Sequence, residues 1–397
     1  MASFPSNGIE DLRNRVVGST GALLGALVTV TGSFAVFRPN RVINGVPATA
    51  VDALGSAGWL LVACWVAMLV FAVLPTRRAG ALARGLLASG VLAGSLLAVS
   101  NAGLAYAASE GDIARVSLGY SFWLSLLAVY FVIYSAREAL ESSWARALVN
   151  WSGPAALVAL LVTGRLAGLS IVREYLMSSD TFWRSFRQHL YYTLGATGVA
   201  LVIGVGLGIL AAKRVRTEGP VFGVLNVTQV LPTLSFIGLL IAPMAWLGSN
   251  VGLFDAIGVS GIGWAPVFVV LVSYAVFPIT RNTYSALKTL EGGVVDAARG
   301  VGMNWRQRLA IVELPLSVPI VLAGVRIALV QTTAGAIIAG LVGGGGLGAI
   351  VFYGLQQTAE DLVLLGVIPI VVLALMLDGI VRVAVSVFGE LPEEVPA

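Results

Sequence analysis

Apolar residues in this chain do not alternate with polar ones. They run together in stretches close to the roughly 20 residues that cross a bilayer as a helix, separated by short polar segments. Ten spans are predicted: 17–37, 55–74, 85–107, 117–136, 152–171, 190–212, 220–247, 265–281, 315–342 and 361–387. No two-residue period of the kind a membrane barrel needs accompanies them. The expected fold is therefore an all-α integral membrane protein with about ten transmembrane helices. The longest polar interruption in the C-terminal two-thirds is 281–315, which carries Arg281, Lys288, Glu291, Asp296, Arg299, Arg306, Arg308 and Glu313 between two strongly apolar runs.

Composition agrees with the pattern. The chain is 58% hydrophobic and 11% charged, with a mean hydropathy of +0.92, whereas soluble domains carry about 25% charged residues. One cysteine, Cys64, and one histidine, His189, leave no material for a disulfide framework or a multi-ligand Cys/His metal site. The first apolar run is too long for a signal-peptide core and lacks a clear small-residue cleavage site, so it reads as a membrane helix. With the N-terminus inside and each span crossing once, sixteen Lys and Arg fall on the inner side and six on the outer. That bias predicts both termini, and the 282–313 loop, in the cytoplasm. A net charge of +4 spread over loops suits retention of those loops rather than nucleic-acid binding.

The two halves differ in punctuation. Residues 1–150 are simple apolar runs, whereas the later spans carry Gln229, Pro232, Pro243, Pro266, Pro278, Arg326 and Gln331. Prolines and polar groups inside a span are costly unless neighbouring helices or a wet cavity accommodate them. Asn226, Gln229, Pro232, Arg326 and Gln331 are accordingly the candidate pathway or gate residues, and a carbonyl freed at Leu231-Pro232 could face that pathway. Interhelical hydrogen bonding by Asn226 and Gln229, and snorkelling by Arg326, are the structural alternatives. His189 reads as an interfacial group, and Asp378 and Arg165 as structural or interfacial. The expected division is an N-terminal extension of about five spans over 1–171, an outer interfacial segment over 172–189, a core of about five spans over 190–387, and a cytoplasmic tail over 388–397.

Two formal motifs exclude more than they assign. Gly343 to Gly348 fits G-x-G-x-x-G but follows a membrane span rather than a strand opening a βαβ unit, which argues against a dinucleotide site. Gly345, Gly346 and Gly348 are expected instead in a flexible turn at the outer mouth, touching a binding protein or an external gate. Lys213 and Lys288 are the only lysines and neither follows a glycine, so the chain has no phosphate-binding loop. No paired carboxylates, nucleophile with base, or metal cluster is visible, so no catalytic site is expected.

The polar loop reads from its residues as a helix–turn–helix. Asp296 favours a helix N-terminus, Ala297 and Ala298 offer a smooth packing surface, Gly302 permits a sharp turn, and Pro315 suits the start of the next span. An ordinary connecting loop is the plain alternative. The spacing also resembles the EAA signature of importer-type ABC permeases: an acidic residue, two alanines, glycine after three residues, then an aliphatic residue and Leu-Pro. Asp296, Ala297, Ala298, Gly302, Val312, Leu314 and Pro315 occupy those positions, with Asp in place of the usual Glu and Val in place of Ile. The resemblance extends over about 186–385 through Asn226 to Leu234, Phe277 to Tyr284, Ala323 to Arg326 and Gly345 to Gly348, which look like the betaine/choline/carnitine branch. The N-terminal extension resembles the longer Yeh-type glycine betaine permeases.

The resemblance implies that the C-terminal five spans form a type I ABC importer permease core in a bacterial inner membrane. It implies alternating access driven by a separate ATPase that binds ATP and Mg and docks on Asp296, Ala297, Ala298, Gly302, Leu314 and Pro315, with no cofactor in this chain. Implied partners are that ATPase, an extracytoplasmic substrate-binding protein, and a second permease, either a copy or a paralogue. A permease for another small solute, such as an amino acid or a sulfonate, fits the same loop. An ion-coupled secondary transporter is the alternative of another class, disfavoured because intramembrane Asp, Glu and His are nearly absent.

Overall fold

The computed structural model describes residues 6–40, 43–73, 78–290 and 292–388. Arg41 and Arg77, which contribute to the charge bias, Glu291 of the polar 281–315 segment, and 389–397 of the tail lie outside the described residues. The chain divides into two compact units, Met1–Met177 and Ser178–Ala397, so the segment expected at 172–189 is shared between them.

In the first unit α1 (Ser6–Thr31) packs on α3 (Ser56–Val73) and α5 (Tyr120–Glu138), while α4 (Arg78–Glu110) packs on α3, α5 and α6 (Ser143–Val162). The core is Phe34, Trp65, Met68, Val99, Phe122 and Val132, with Trp65 and Met68 fully buried. Gly25 makes the α1–α3 contact possible, because a Cβ there would meet the Trp65 ring at 2.5 Å. Three short strands, which the apolar runs did not predict, accompany the helices: β1 (Ala35–Arg38), β2 (Val46–Ala48) and β3 (Arg115–Leu118). They form an antiparallel sheet in the order β2-β1-β3, with Ala35 opposite Ala48 and Leu118. The expected first span thus stops at Thr31 and its last residues become β1. The short α2 (Ala50–Leu54) leads into α3, and α7 (Ser170–Met177) closes the unit, its buried Glu174 lying 3.6 Å from Arg115 of β3. The span expected at 152–171 forms earlier, as α6, since Thr163 to Leu169 turn back on themselves.

The second unit opens with α8 (Ser179–Lys213), which absorbs the polar aromatic stretch before His189. It continues through α9 (Val215–Val230), α10 (Thr233–Asn250), α11 (Gly252–Ala256) and α12 (Trp264–Thr289). The run expected as one span at 220–247 is therefore two helices broken at Leu231-Pro232, where proline disfavours helix in the residue before it. After α12 come α13 (Gly292–Gly300), α14 (Trp305–Arg308), a π-helical turn (Leu309–Glu313), α15 (Leu314–Gly335) and a 3-10 turn (Ala336–Val342). The unit ends with α16 (Leu347–Gln356) and α17 (Glu360–Phe388). Among the described residues nine helices are long and apolar enough to cross a membrane.

The axis of this unit is α12, which packs along α8 and α15. Small residues permit the approach: a Cβ at Gly204 would lie 2.9 Å from Ile279, and one at Gly208 would lie 2.6 Å from Thr283. Gly204→Ala should therefore overpack the seam by about 1–3 kcal/mol. The check is a thermal unfolding midpoint lowered by several degrees relative to Gly206→Ala, where a Cβ meets nothing.

Candidate functional site

The motif segment is a capped helical hairpin. At the end of α13 the Met303 N–H donates to the Ala298 carbonyl at 3.2 Å and the Gly302 N–H to Arg299 at 2.9 Å. This is the six-to-one and five-to-two pattern that closes a helix with a left-handed residue, here Gly302 at φ +82°. On the far side of the turn Asn304 Oδ1 accepts from the N–H groups of Arg306 and Gln307, and Gln307 Oε1 accepts from the Asn304 N–H at 2.9 Å. That capping box is legible in the sequence as Asn-x-x-Gln at Asn304 to Gln307.

Asp296 and Ala297 are exposed, with Asp296 paired to Arg299 at 3.2 Å, while Ala298 is buried. Val301 is 75% and Trp305 58% exposed, so the hairpin presents apolar side chains at its tip, with the Arg306 guanidinium lying over the Trp305 ring. The loop is shorter than expected, because α12 carries on through 282–289.

Leu314 and Pro315 start α15, as expected, but with no break in the chain ahead of them. They follow directly on the π-helical turn, which widens the backbone just ahead of the residue that lacks an N–H and whose ring crowds the preceding turn. Glu313, at the end of that turn, is 1% exposed and has both carboxylate oxygens engaged. Lys213 Nζ at the end of α8 donates to Oε2, and Arg308 Nε donates to Oε1 at 2.8 Å. The hairpin is thus tied to a helix a hundred residues earlier in the chain.

The pathway candidates converge on α12. Pro278 has no N–H to give the Tyr274 carbonyl one turn earlier, and Gln229 Nε2 supplies that bond at 3.1 Å. The Tyr274 hydroxyl in turn donates to the Leu231 carbonyl at 2.6 Å. The carbonyl expected to face the pathway is therefore occupied, and the α9–α10 break is stitched to α12 at the turn before Pro278. Two cavities lie along this seam. One of about 390 Å³ is lined by Gln229, Pro232, Tyr274 and Gln331 among others. The second, of about 720 Å³, includes Gln229, Phe277, Arg281, Arg326, Gln331 and Asp378. Gln229 and Gln331 border both, and Arg326 Nε and Nη2 grip the Asp378 carboxylate, which Arg382 Nη2 also reaches at 2.6 Å. Asn226 is exposed and lines neither.

The glycine loop is pinned rather than flexible. Gly343, Gly345 and Gly346 take positive φ of 73–75°, the Gly346 N–H donates to Gln188 Oε1 at 3.1 Å, and the Tyr192 hydroxyl donates to the Gly344 carbonyl at 2.6 Å. Gly346 and Gly348 are buried, and a Cβ at Gly348 would sit 1.8 Å from the Ile337 carbonyl. Local sequence signalled a turn; the close approach of α16 to the 3-10 turn, which only glycine allows, buries it. His189 is likewise fully buried, with Nε2 3.0 Å from the Thr333 carbonyl, not interfacial. Among the described residues no group of three His, Cys, Asp or Glu could hold a metal ion.

Comparison with known proteins places both units. The family described as "ABC transporter permease YehY, N-terminal domain" matches residues 14–172, and "Binding-protein-dependent transport system inner membrane component" matches 204–386. The chain is 31% identical over 196 residues to the glycine betaine/carnitine/choline transport system permease protein OpuCB of Bacillus subtilis, covering 49% of this chain and 83% of that one. It is 34% identical over 195 residues to the osmoprotectant import permease protein OsmW of Salmonella typhimurium, covering 49% and 86%. A solved inward-facing MetNI methionine ABC transporter chain shows a TM-score of 0.44 at 23% identity, over 52% of this chain and 97% of that one. A predominantly helical, multi-pass membrane chain that carries both domains and is covered to this extent by such relatives is a transport permease subunit, and it belongs to the ABC importer permease family that includes the osmoprotectant permeases, in the branch with a Yeh-type N-terminal domain.

Proposed function

We propose that this permease imports glycine betaine or a related quaternary-ammonium osmoprotectant across a bacterial inner membrane by alternating access. The observation that carries the reading is the exposed, doubly capped hairpin around Gly302, set in the same unit as the cavities along α12. A separate ATPase, holding ATP and Mg, docks on the surface around Asp296, Ala297 and Gly302 from the cytoplasmic side. Ala298, which is buried, supports that surface from within, while half-buried Leu314 and exposed Pro315 lead from it into α15. An extracytoplasmic binding protein delivers substrate, and a second permease, copy or paralogue, completes the pathway. Both termini are cytoplasmic in this reading, as the Lys and Arg bias supports.

Gln229, Pro232, Arg326 and Gln331 line the route; Asn226, outside both cavities, is left to the surface that meets another chain. The pinned glycine loop, through Gly345, Gly346 and Gly348, shapes the outer end of the core rather than docking directly. The names of the relatives favour an osmoprotectant over an amino acid or a sulfonate.

The test is uptake in proteoliposomes holding the permease with its own ATPase and binding protein. ATP-dependent accumulation of labelled glycine betaine is expected. Accumulation of an amino acid or a sulfonate in its place, or accumulation driven by an ion gradient without ATP, overturns the reading.

A further inference from the structure

We infer that the larger α12 cavity is a transient binding site for the carboxylate end of a zwitterionic substrate, with Arg326 as the residue that reads it. The inference rests on the proposed osmoprotectant reading and adds a recognition step inside the permease itself. Three observations carry it.

The first is charge. Arg281 and Arg326 line the cavity, and Asp378 is its one acidic lining group. That single carboxylate is shared, because Arg382 donates to the same Oδ2 that Arg326 Nη2 reaches. Two guanidinium groups against one carboxylate in the lining, a carboxylate that Arg382 outside the lining also holds, leave the cavity short of negative charge, so an incoming carboxylate is attracted and a bare cation is not.

The second is availability. The Arg326 side chain is 43% exposed although paired, whereas Asp378 is 17% exposed. The guanidinium carries five N–H donors in a planar fork, and Asp378 uses those of Nε and one on Nη2. The pair with Asp378 does not use Nη1, so a lining residue keeps guanidinium donors of the kind that suit a carboxylate.

The third is the rest of the lining. Gln229, Asn282 and Gln331 supply neutral amides, and Phe277 supplies an aromatic face toward which a quaternary ammonium is drawn. A zwitterion therefore finds a partner for each end. A choline, which lacks the carboxylate, finds only the aromatic face in a positively biased cavity.

Cys64 is the only cysteine in the chain, so a single reporter thiol can be placed. In a Cys64→Ser full-length permease, Ile327→Cys and Val330→Cys put a thiol on the cavity wall at positions that are 53% and 39% exposed. The rate of N-ethylmaleimide labelling is measured with glycine betaine, choline or acetate present. Glycine betaine is expected to slow labelling, with a half-protecting concentration about tenfold below those of choline and acetate, the factor that about 1.4 kcal/mol of binding carries. Arg326→Gln should abolish that difference, and Arg326→Lys should retain part of it.

Equal protection by betaine and choline overturns the carboxylate reading. Equal protection by betaine and acetate reduces the cavity to an anion site and overturns the zwitterion. Protection that survives Arg326→Gln removes Arg326, and absence of labelling at both positions shows a cavity closed to solutes. Uptake by the wild-type complex, run in parallel, separates the two failures. Betaine uptake without protection sinks this inference alone, and absence of betaine uptake sinks the osmoprotectant reading.

Discussion

Glu313→Ala is expected to unfold at a distinctly lower temperature and to lose most ATP-driven uptake. Glu313 has a side chain 2% exposed and accepts from two cations, Lys213 and Arg308, whose side chains are 32% and 14% exposed. Removing one member of a buried ion pair costs about 3–5 kcal/mol, because the partner is left charged and unpaired. The lower end applies here, since Lys213 at a helix end can swing toward water while Arg308 cannot fully do so.

Lys213→Met alone should cost less than Glu313→Ala, because Arg308 still satisfies the carboxylate. Adding Glu313→Gln to Lys213→Met should cost less than the sum of the single changes, as expected for groups sharing one network. The functional loss should exceed what lowered stability explains, because the carboxylate is the tie between α8 and the hairpin. Unfolding midpoints and uptake of folded, purified complexes are the measurements. A Glu313→Ala protein within about 0.5 kcal/mol of wild type, the range of an ordinary surface change, would sink the tie.

That network explains where reading the sequence stops. The hairpin was legible because everything that shapes it is local: the N–H groups of Gly302 and Met303 close α13 on carbonyls three and five residues back, and the spacing to Leu314-Pro315 is a linear pattern. Glu313 stood in the same stretch and carried no signal, since its partner Lys213 lies a hundred residues off. The cavity residues were half legible. Gln229, Arg326 and Gln331 stood out because polar groups are costly in apolar runs. That Gln229 also serves the carbonyl orphaned by Pro278 depends on α9 meeting α12, which no local pattern encodes.

The failures have the same cause. Leu231-Pro232 signalled a break, yet continuous hydropathy across it read as one span. The strands β1, β2 and β3 are three or four residues long, too short to show a period. The glycine loop looked flexible because glycine permits turns, while its burial comes from α8 and the 3-10 turn closing on it. Hydropathy finds that a helix exists; where it ends and what its loops touch are set by packing.

Gly302→Val is expected to abolish uptake while leaving the permease folded, and that combination is what separates a docking surface from a structural turn. A Cβ at Gly302 meets nothing within 4 Å, so no clash arises inside this chain. The cost is conformational: at φ +82° an L-residue pays about 1–2 kcal/mol, more if β-branched. The chain escapes this strain by opening the cap, which releases the bonds to Arg299 and Ala298 and re-aims α14 relative to α13. The segment is exposed and short, so the strain stays local and the unfolding midpoint of the permease should hardly move. Uptake and co-purification of the ATPase should both fall sharply, since the partner meets a reshaped tip carrying Val301 and Trp305. Gly302→Asn, which tolerates positive φ better than other side chains, should retain much of both. Normal uptake with undiminished ATPase association in Gly302→Val would sink the coupling role of the hairpin, and equal loss in Gly302→Asn would show that the space at the tip, not the backbone turn, is what the partner reads.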